Sequence, residues 1–160
     1  PLYSSAASDV YKRQPCSNAN TLDDYEEGTW TPSINSISPG TGRVTTTYSA
    51  TYTKIGNLVT FSLYSQLSTL GTGGSGIAVI NGLPFTSISG GGQAYFSCSV
   101  SYFATLKAAL VYIGAVVQPN SNQISLRGWS SAAYSASVLD FNTYIQAGSS
   151  FLVTGFYYTT

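Results

Sequence analysis

The alternation of apolar and polar residues with a period of two is the feature that most restricts the fold of this sequence. Val44–Lys54 alternates cleanly, Gly56–Asn57 follows, and Leu58–Leu67 places its apolar residues on one face. Two such runs joined by a tight-turn pair predict a β-hairpin. The residues predicted to share a face are Val44, Thr46, Tyr48, Ala50 and Tyr52 in the first strand, and Val59, Phe61, Leu63 and Leu67 in the second.

The rest of the chain carries the same kind of pattern. Thr, Ser, Tyr, Val and Ile dominate, and these residues fit pleated sheets better than helices. Gly and Asn interrupt the runs at short intervals, which indicates turns. The other predicted strands are Trp30–Ile37, Gly76–Asn81, Gln93–Phe103, Leu110–Gln118, Gln123–Trp129, Val138–Ile145 and Ser150–Tyr158. We therefore predict an all-β domain, a sandwich or barrel of about eight to nine mainly antiparallel strands.

The low charge of the chain limits its partners. Charged residues make up 8% of the sequence, against roughly 25% in ordinary soluble domains. Nucleic acids and anionic lipids bind through clustered Lys and Arg, so the composition disfavours both. No apolar run approaches the ~20 residues of a membrane-spanning helix, and we expect no membrane insertion. So few charges beside 43% apolar residues favour a homo-oligomer that covers part of the surface.

The N-terminal residues differ in character from the remainder of the chain. Ser4–Gln14 reads SSAASDVYKRQ, which resembles the translation of a transposase-type sequencing adaptor. We therefore interpret residues 1–14 as a non-native segment and expect them to be disordered. Residues 15–27 come next as an acidic neck with Asp23, Asp24, Glu26 and Glu27, and residues 28–160 form the predicted β-domain. The neck acids favour a solvated, extended segment, with pairing to Lys54 or Arg43, or a Ca²⁺ site, as alternatives.

Catalytic chemistry has few residues to use. The sequence contains no His, which excludes Ser-His-Asp and Cys-His arrangements and His/Cys zinc sites. Glycoside hydrolysis usually requires two carboxylates, and after residues 1–14 are set aside Asp140 is the only one outside the neck. The run Gly71–Gly76 lacks the Lys of a phosphate-binding loop. We predict a non-enzymatic chain without cofactor or metal, with Cys98 as a buried structural thiol.

Three sequence blocks stand in a characteristic order along the chain. Asn20–Ile34 reads NTLDDYEEGTWTPSI, Tyr52 precedes TKIGNLVT at Thr53–Thr60, and Asn81–Thr86 reads NGLPFT. Together these blocks resemble the C-terminal domain of tail fibre-like proteins of bacteriophages and prophages. The resemblance extends from Asn18 to Thr160, although from Gln93 onward only the pattern agrees. It implies a jelly-roll β-sandwich, a homotrimer, and attachment to the host surface as part of the virion tail, outside the cell.

The predicted function is binding of a bacterial surface glycan or outer-membrane protein. The alternatives are a structural domain that trimerises or caps a fibre, and, less favoured, a fragment of a capsule-degrading tail spike. Aromatic residues in loops suit sugar binding, because their rings stack on the apolar face of a sugar. The candidate ligand-binding residues are Trp129, Tyr134, Asn120 and Asn122.

Overall fold

The computed structural model describes residues 25–90, 95–129 and 137–160. These ranges contain ten strands and one short helix, α1 (Phe141–Tyr144). The strands are β1 (Tyr25–Thr29), β2 (Ser33–Ser38), β3 (Val44–Ile55), β4 (Leu58–Thr69), β5 (Ser75–Asn81), β6 (Phe96–Ala104), β7 (Tyr112–Val117), β8 (Gln123–Trp129), β9 (Ser137–Val138) and β10 (Ser150–Tyr158). No helix in these ranges is long and apolar enough to cross a membrane.

All of these strands belong to one antiparallel sheet. Its hydrogen-bonded order is β1-β3-β4-β10-β6-β7-β8-β5-β2, and β9 pairs with β8. The sheet curls so that side chains from both of its halves meet in one core, among them Leu63 on β4, Val153 on β10 and Leu126 on β8. The prediction of an all-β antiparallel fold is confirmed, whereas the jelly-roll arrangement stays a prediction.

The antiparallel register decides which loops share an end of the curled sheet. Tyr25 pairs with Ile55 beside the β3–β4 turn, and Tyr158 pairs with Leu58 at the same level. The pairings of β6 with β7 and of β7 with β8 bring residues 118–122 to this end too. We call it the entry end, because the described fold starts there at Tyr25. The opposite end, called the far end, is formed by residues 39–43, 70–74, 105–111 and 139–149.

The β3–β4 hairpin forms as the sequence predicts, with Gly56 at φ +58° in its turn. All four residues predicted to share a face of β4 are buried. The prediction is wrong for Thr46 and Tyr48, because the register shifts between Thr47 and Ser49. A bulge of this kind adds one residue to a strand and changes which way its side chains point. Tyr48 instead stacks on Tyr64, an outward-facing residue of β4, with ring centroids 4.8 Å apart.

The predicted first strand, Trp30–Ile37, begins later in the structure, at Ser33. The chain forms β1 before Trp30 and β2 after Pro32, since Pro has no N–H to donate to a ladder. Trp30 is buried between the two strands and meets Phe61 edge to face, at 6.2 Å between ring centroids. Residues 25–27, assigned to the neck from sequence, are therefore part of β1.

The two glutamates of β1 have specific partners there. Glu26 lies directly opposite Lys54 in the register, and opposite charges across a strand pair favour pairing. The hydroxyl of Tyr52 donates a 2.5 Å hydrogen bond to Glu26 Oε1, and that of Tyr25 donates one of 2.5 Å to Glu27 Oε2. These contacts hold both glutamates against neighbouring side chains of the sheet. Residues 1–24, with Asp23 and Asp24, lie outside the described part of the chain.

The predicted strand Val138–Ile145 is wrong. Ser137–Val138 forms strand β9 and Asp140 makes a single bridge to Ile77, but the chain then enters the helical turn α1. Asp140 is its N-cap, and Oδ1 accepts hydrogen bonds from Thr143 N (2.9 Å) and Thr143 Oγ1 (2.8 Å). Phe141 and Ile145 point from this turn into the core. A local side-chain cap and a four-residue apolar spacing therefore override the strand propensity of the segment.

Replacing Asp140 with alanine is expected to lower the free energy of unfolding by about 1 kcal/mol, because the cap of α1 is lost. Urea denaturation followed by fluorescence would measure the change. Asp140→Asn is the matched control, since an amide oxygen can accept the same bonds, and it should stay within a few tenths of a kcal/mol of the wild type. Equal losses in the two variants would contradict a capping role.

The prediction of a buried thiol at Cys98 is confirmed. Cys98 is 7% exposed and faces Gly155 across the β6–β10 pair. A Cβ at Gly155 would lie only 2.9 Å from the sulfur, so the absence of a side chain there makes room for the thiol. Burial raises the pKa of Cys98 to about 12, which leaves the thiol protonated and unreactive at neutral pH.

Candidate functional site

The structure separates the residues that sequence reasoning grouped as a binding site. Trp129 is the last residue of β8, at the far end, while Asn120 and Asn122 lie in the β7–β8 turn at the entry end. The strand between them rises ~3.3 Å per residue, so roughly 20 Å divides the two groups. Tyr134 lies outside the described residues. The structure therefore does not bring the two asparagines together with Trp129, and a role for them in ligand binding stays a prediction.

The two asparagines serve the turn itself. Asn120 has φ +51°, in the left-handed region that asparagine tolerates better than most residues. Its N–H donates to Ile88 O at 3.2 Å, and the carbonyl of Asn122 accepts from Gly82 N (3.2 Å) and Leu83 N (3.0 Å). The turn is in this way tied to the NGLPF segment. Its polar residues were chosen as ligand-binding candidates because turns and binding loops have similar amino-acid compositions.

Tyr112 is the partner of Trp129 that sequence reasoning missed. The two residues are opposite each other in the β7–β8 register, and their ring centroids lie 4.9 Å apart at an interplanar angle of 57°. Tyr112 is 57% exposed and Trp129 is half-buried. A Cβ built on Gly114 would be 3.3 Å from Cε1 of Tyr112, so the tyrosine ring leans over that glycine. We call Tyr112 and Trp129 the aromatic platform.

A cation lies beside the aromatic platform. Arg127 is two residues before Trp129, so both side chains point to the same face of β8. Its register partner is Gly114, which has no side chain to cover the sheet at that position. The resulting surface combines an apolar ring face and a guanidinium. Such a combination is suited to a ligand with an apolar face and polar edges.

A wide pocket of about 460 Å³ lies at the same end of the fold. It is lined by a single stretch of chain, Phe103–Leu110, and we call it the wide pocket. Two backbone hydrogen bonds fix this stretch, Lys107 N to Tyr144 O (2.8 Å) and Val111 N to Trp129 O (2.7 Å). The second bond attaches the end of the pocket segment to the aromatic platform.

The pocket segment contains a strained residue. Thr105 has φ +56°, which is unusual for a β-branched residue. Its carbonyl accepts hydrogen bonds from Ser149 Oγ at 2.8 Å and from Gln146 Nε2 at 3.3 Å. Such strain persists only where the surroundings enforce it, and it is common at binding sites.

Arg43 forms a second feature of the far end that sequence reasoning did not assign. Its guanidinium carbon lies 3.8 Å from the ring centroid of Phe141. Glycines surround the side chain closely: a Cβ would be 2.8 Å from Cζ at Gly40, 2.9 Å from Cγ at Gly71 and 2.8 Å from Nη2 at Gly74. Ser75 and Gly76 of the glycine-rich run belong to β5, whereas residues 70–74 form a glycine-rich loop. It makes room for an arginine distant in sequence.

The carboxylates of the described residues do not converge. Glu26 and Glu27 belong to β1 near the entry end, whereas Asp140 is bridged to Ile77 near the far end and caps α1. Within the described ranges, no three side chains of His, Cys, Asp or Glu come together in a way that could hold a metal ion. The far end instead presents aromatic rings, cations and backbone groups.

Comparison with known proteins gives a likeness in fold alone. No family model and no curated protein matches the sequence. Among solved structures, the chain is similar to the crystal structure of the Dettilon tailspike protein (gp208), with a TM-score of 0.61 and 18% sequence identity. The match covers 83% of this chain and 23% of the tailspike chain, so the chain corresponds to less than a quarter of that protein. The shared feature is the curled β-fold.

Proposed function

We propose that this chain is a domain of a phage tail fibre or tailspike that attaches the virion to the bacterial surface. The observation that carries the proposal is the exposed aromatic platform at the end of the fold opposite Tyr25. A fold like that of a tailspike protein supports the same assignment, as do the three blocks that resemble tail fibre-like proteins. In a fibre joined at the entry end, the far end would meet the host cell.

The ligand we propose is a surface glycan. The carbon–hydrogen face of a sugar stacks on Tyr112 and Trp129, while Arg127 and nearby backbone groups bond its hydroxyls. Binding requires no bond-breaking, in keeping with the absence of a converging carboxylate pair among the described residues. A homotrimer would present three such sites, and the raised effective concentration would convert weak contacts into firm attachment. The domain would act as part of the virion tail, outside the host cell.

Truncating the aromatic platform tests this proposal. Trp129→Ala and Tyr112→Ala should each weaken binding of the full chain to an array of bacterial surface polysaccharides at least tenfold, about 1.4 kcal/mol, because stacking area is lost. Tyr48→Ala is the matched control: Tyr48 is 56% exposed but lies on β3, away from the platform. Its binding should equal that of the wild type. Polysaccharide binding that survives both platform truncations would contradict the proposal.

A structural role in ending or trimerising a fibre is the second candidate, favoured by a different surface. The outward face of β3, β4 and β6 carries Tyr48, Tyr64 and Tyr102 in one aromatic row. An exposed aromatic row is typical of a subunit contact. The same variants distinguish the two roles when molar mass is measured by light scattering. If Tyr48→Ala dissociates a trimer and the platform variants leave adsorption unchanged, the structural role is the better description.

A further inference from the structure

Two cations line one small pocket at the far end. The pocket has a volume of about 140 Å³ and lies between the glycine-rich loop and α1. Its lining includes Arg43, Lys107, Gly71, Gly73, Phe141 and Asn142, and we call it the cationic pocket. Lys107 also lines the wide pocket, so the two spaces adjoin at this side chain.

The hydrogen bonds of Arg43 leave part of its binding capacity unused. A guanidinium carries five N–H groups. Four are accounted for by neutral acceptors: Leu70 O from Nε (3.2 Å), Asn35 Oδ1 and Ser36 Oγ from Nη1 (the latter 2.7 Å), and Gly73 O from Nη2 (2.7 Å). One N–H of Nη2 remains, and no carboxylate of the described residues neutralises the charge. Partial burial lowers the pKa of Arg43, as expected for a cation desolvated without an anion nearby.

Lys107 adds further donors to the same space. Its ammonium donates one 3.0 Å hydrogen bond, to the carbonyl of Asn142, and an ammonium carries three N–H groups. The carboxylate of Asp140, at the start of α1, already accepts two bonds from Thr143. Two positive charges and three remaining donors thus face a pocket whose described lining contains no acid.

We propose that the cationic pocket binds the anionic oxygen group, a carboxylate or a phosphate, of an acidic saccharide. A volume of about 140 Å³ accommodates such a group, since a water molecule occupies ~30 Å³ in the liquid. The ring itself would extend past Lys107 into the wide pocket. The saccharide nature of the ligand rests on the proposed function, whereas the preference for an anion rests on Arg43 and Lys107.

Removing the charge of Lys107 tests the proposal. The probes are a trisaccharide of galacturonic acid, the neutral galactose trisaccharide, glucose 6-phosphate and inorganic phosphate, each titrated into the full chain by calorimetry and NMR. Lys107→Gln should weaken binding of the galacturonate trisaccharide or the sugar phosphate about tenfold, the effect of one lost charge-assisted hydrogen bond. Binding of the neutral trisaccharide should not change. The wild type should lose affinity for the anionic probes as salt is raised.

The controls distinguish a failure of anion binding in the cationic pocket from a failure of the proposed glycan binding. Lys54→Gln removes the same charge at the entry end and should leave all affinities unchanged. Inorganic phosphate that shifts the amide resonances of Gly71, Gly73 and Asn142 in the wild type, but not in Lys107→Gln, supports the pocket even if no saccharide binds. Equal affinity of the wild type for acidic and neutral trisaccharides overturns the pocket and leaves the aromatic platform untouched. Unaltered binding of anionic probes by Lys107→Gln overturns it as well.

Discussion

Replacing Gly71 with alanine is expected to lower the free energy of unfolding by about 3 kcal/mol. Gly71 has φ +65°, a conformation that costs a residue with a Cβ ~1–2 kcal/mol. The added Cβ would also overlap the carbonyl oxygen of Thr41 and lie 2.8 Å from Arg43 N. That carbonyl accepts a hydrogen bond from Thr72 N at 2.9 Å, and Thr41 N donates one back to Thr72 O at 2.8 Å. Each of these bonds that is lost adds ~1 kcal/mol to the destabilisation.

Gly73 offers a control two residues away. Its φ is +68°, close to that of Gly71, but a Cβ there would meet nothing within 4 Å. Gly73→Ala should therefore lower the free energy of unfolding by only ~1 kcal/mol, the cost of a positive φ for a residue with a Cβ. Chemical denaturation of both variants at one pH gives the comparison. Similar losses at the two positions would mean that the packing of the loop around Arg43 contributes little.

Stability is expected to fall steeply between pH 9 and pH 12 because of Cys98. Its pKa is raised from 9.0 to about 12 by burial, so the folded protein holds the thiol proton after the unfolded chain has released it. The stabilisation is complete below pH 9 and is lost as the pH rises toward 12. The slope is ~1.4 kcal/mol per pH unit, which amounts to roughly 4 kcal/mol over that window.

The variant Cys98→Ala isolates this contribution. It should be less stable at pH 7 by ~1 kcal/mol for the small cavity it leaves, yet its stability should fall less with rising pH. Tyr157, whose pKa burial raises to about 12, titrates in both proteins and cancels in the comparison. Urea denaturation at half-unit intervals from pH 8 to pH 11 gives the two curves. If they run parallel, the thiol is not the buried group that titrates.

Much of the fold follows from local pattern. The β3–β4 hairpin, the buried face of β4 and the returning strand β8 lie where alternation and turn residues predicted them. These features depend on residues close in sequence, since the side-chain period of a strand is two and a Gly–Asn pair favours one kind of turn. Cys98 also followed from the pattern, because its neighbours on the same face are apolar.

The failures have equally specific causes. Tyr48 changes face at a bulge, and bulges depend on the partner strand as much as on the strand itself. The segment around Asp140 was assigned to a strand from its branched and aromatic residues, yet a single carboxylate cap determines a helical turn there. The predicted first strand begins three residues late, at Ser33, because Trp30 is buried in the core and Pro32 cannot donate to the sheet.

The sequence by itself determined that this chain forms hydroxyl-rich, weakly charged antiparallel strands and contains no histidine. The tertiary structure alone decided which polar and aromatic residues share an end of the fold. The β7–β8 register placed Tyr112 beside Trp129. The curl of the sheet brought Arg43 close to α1 and to the loop that contains Lys107. Alternation is a property of neighbours in the chain, whereas register and curl are decided by packing between strands far apart in sequence.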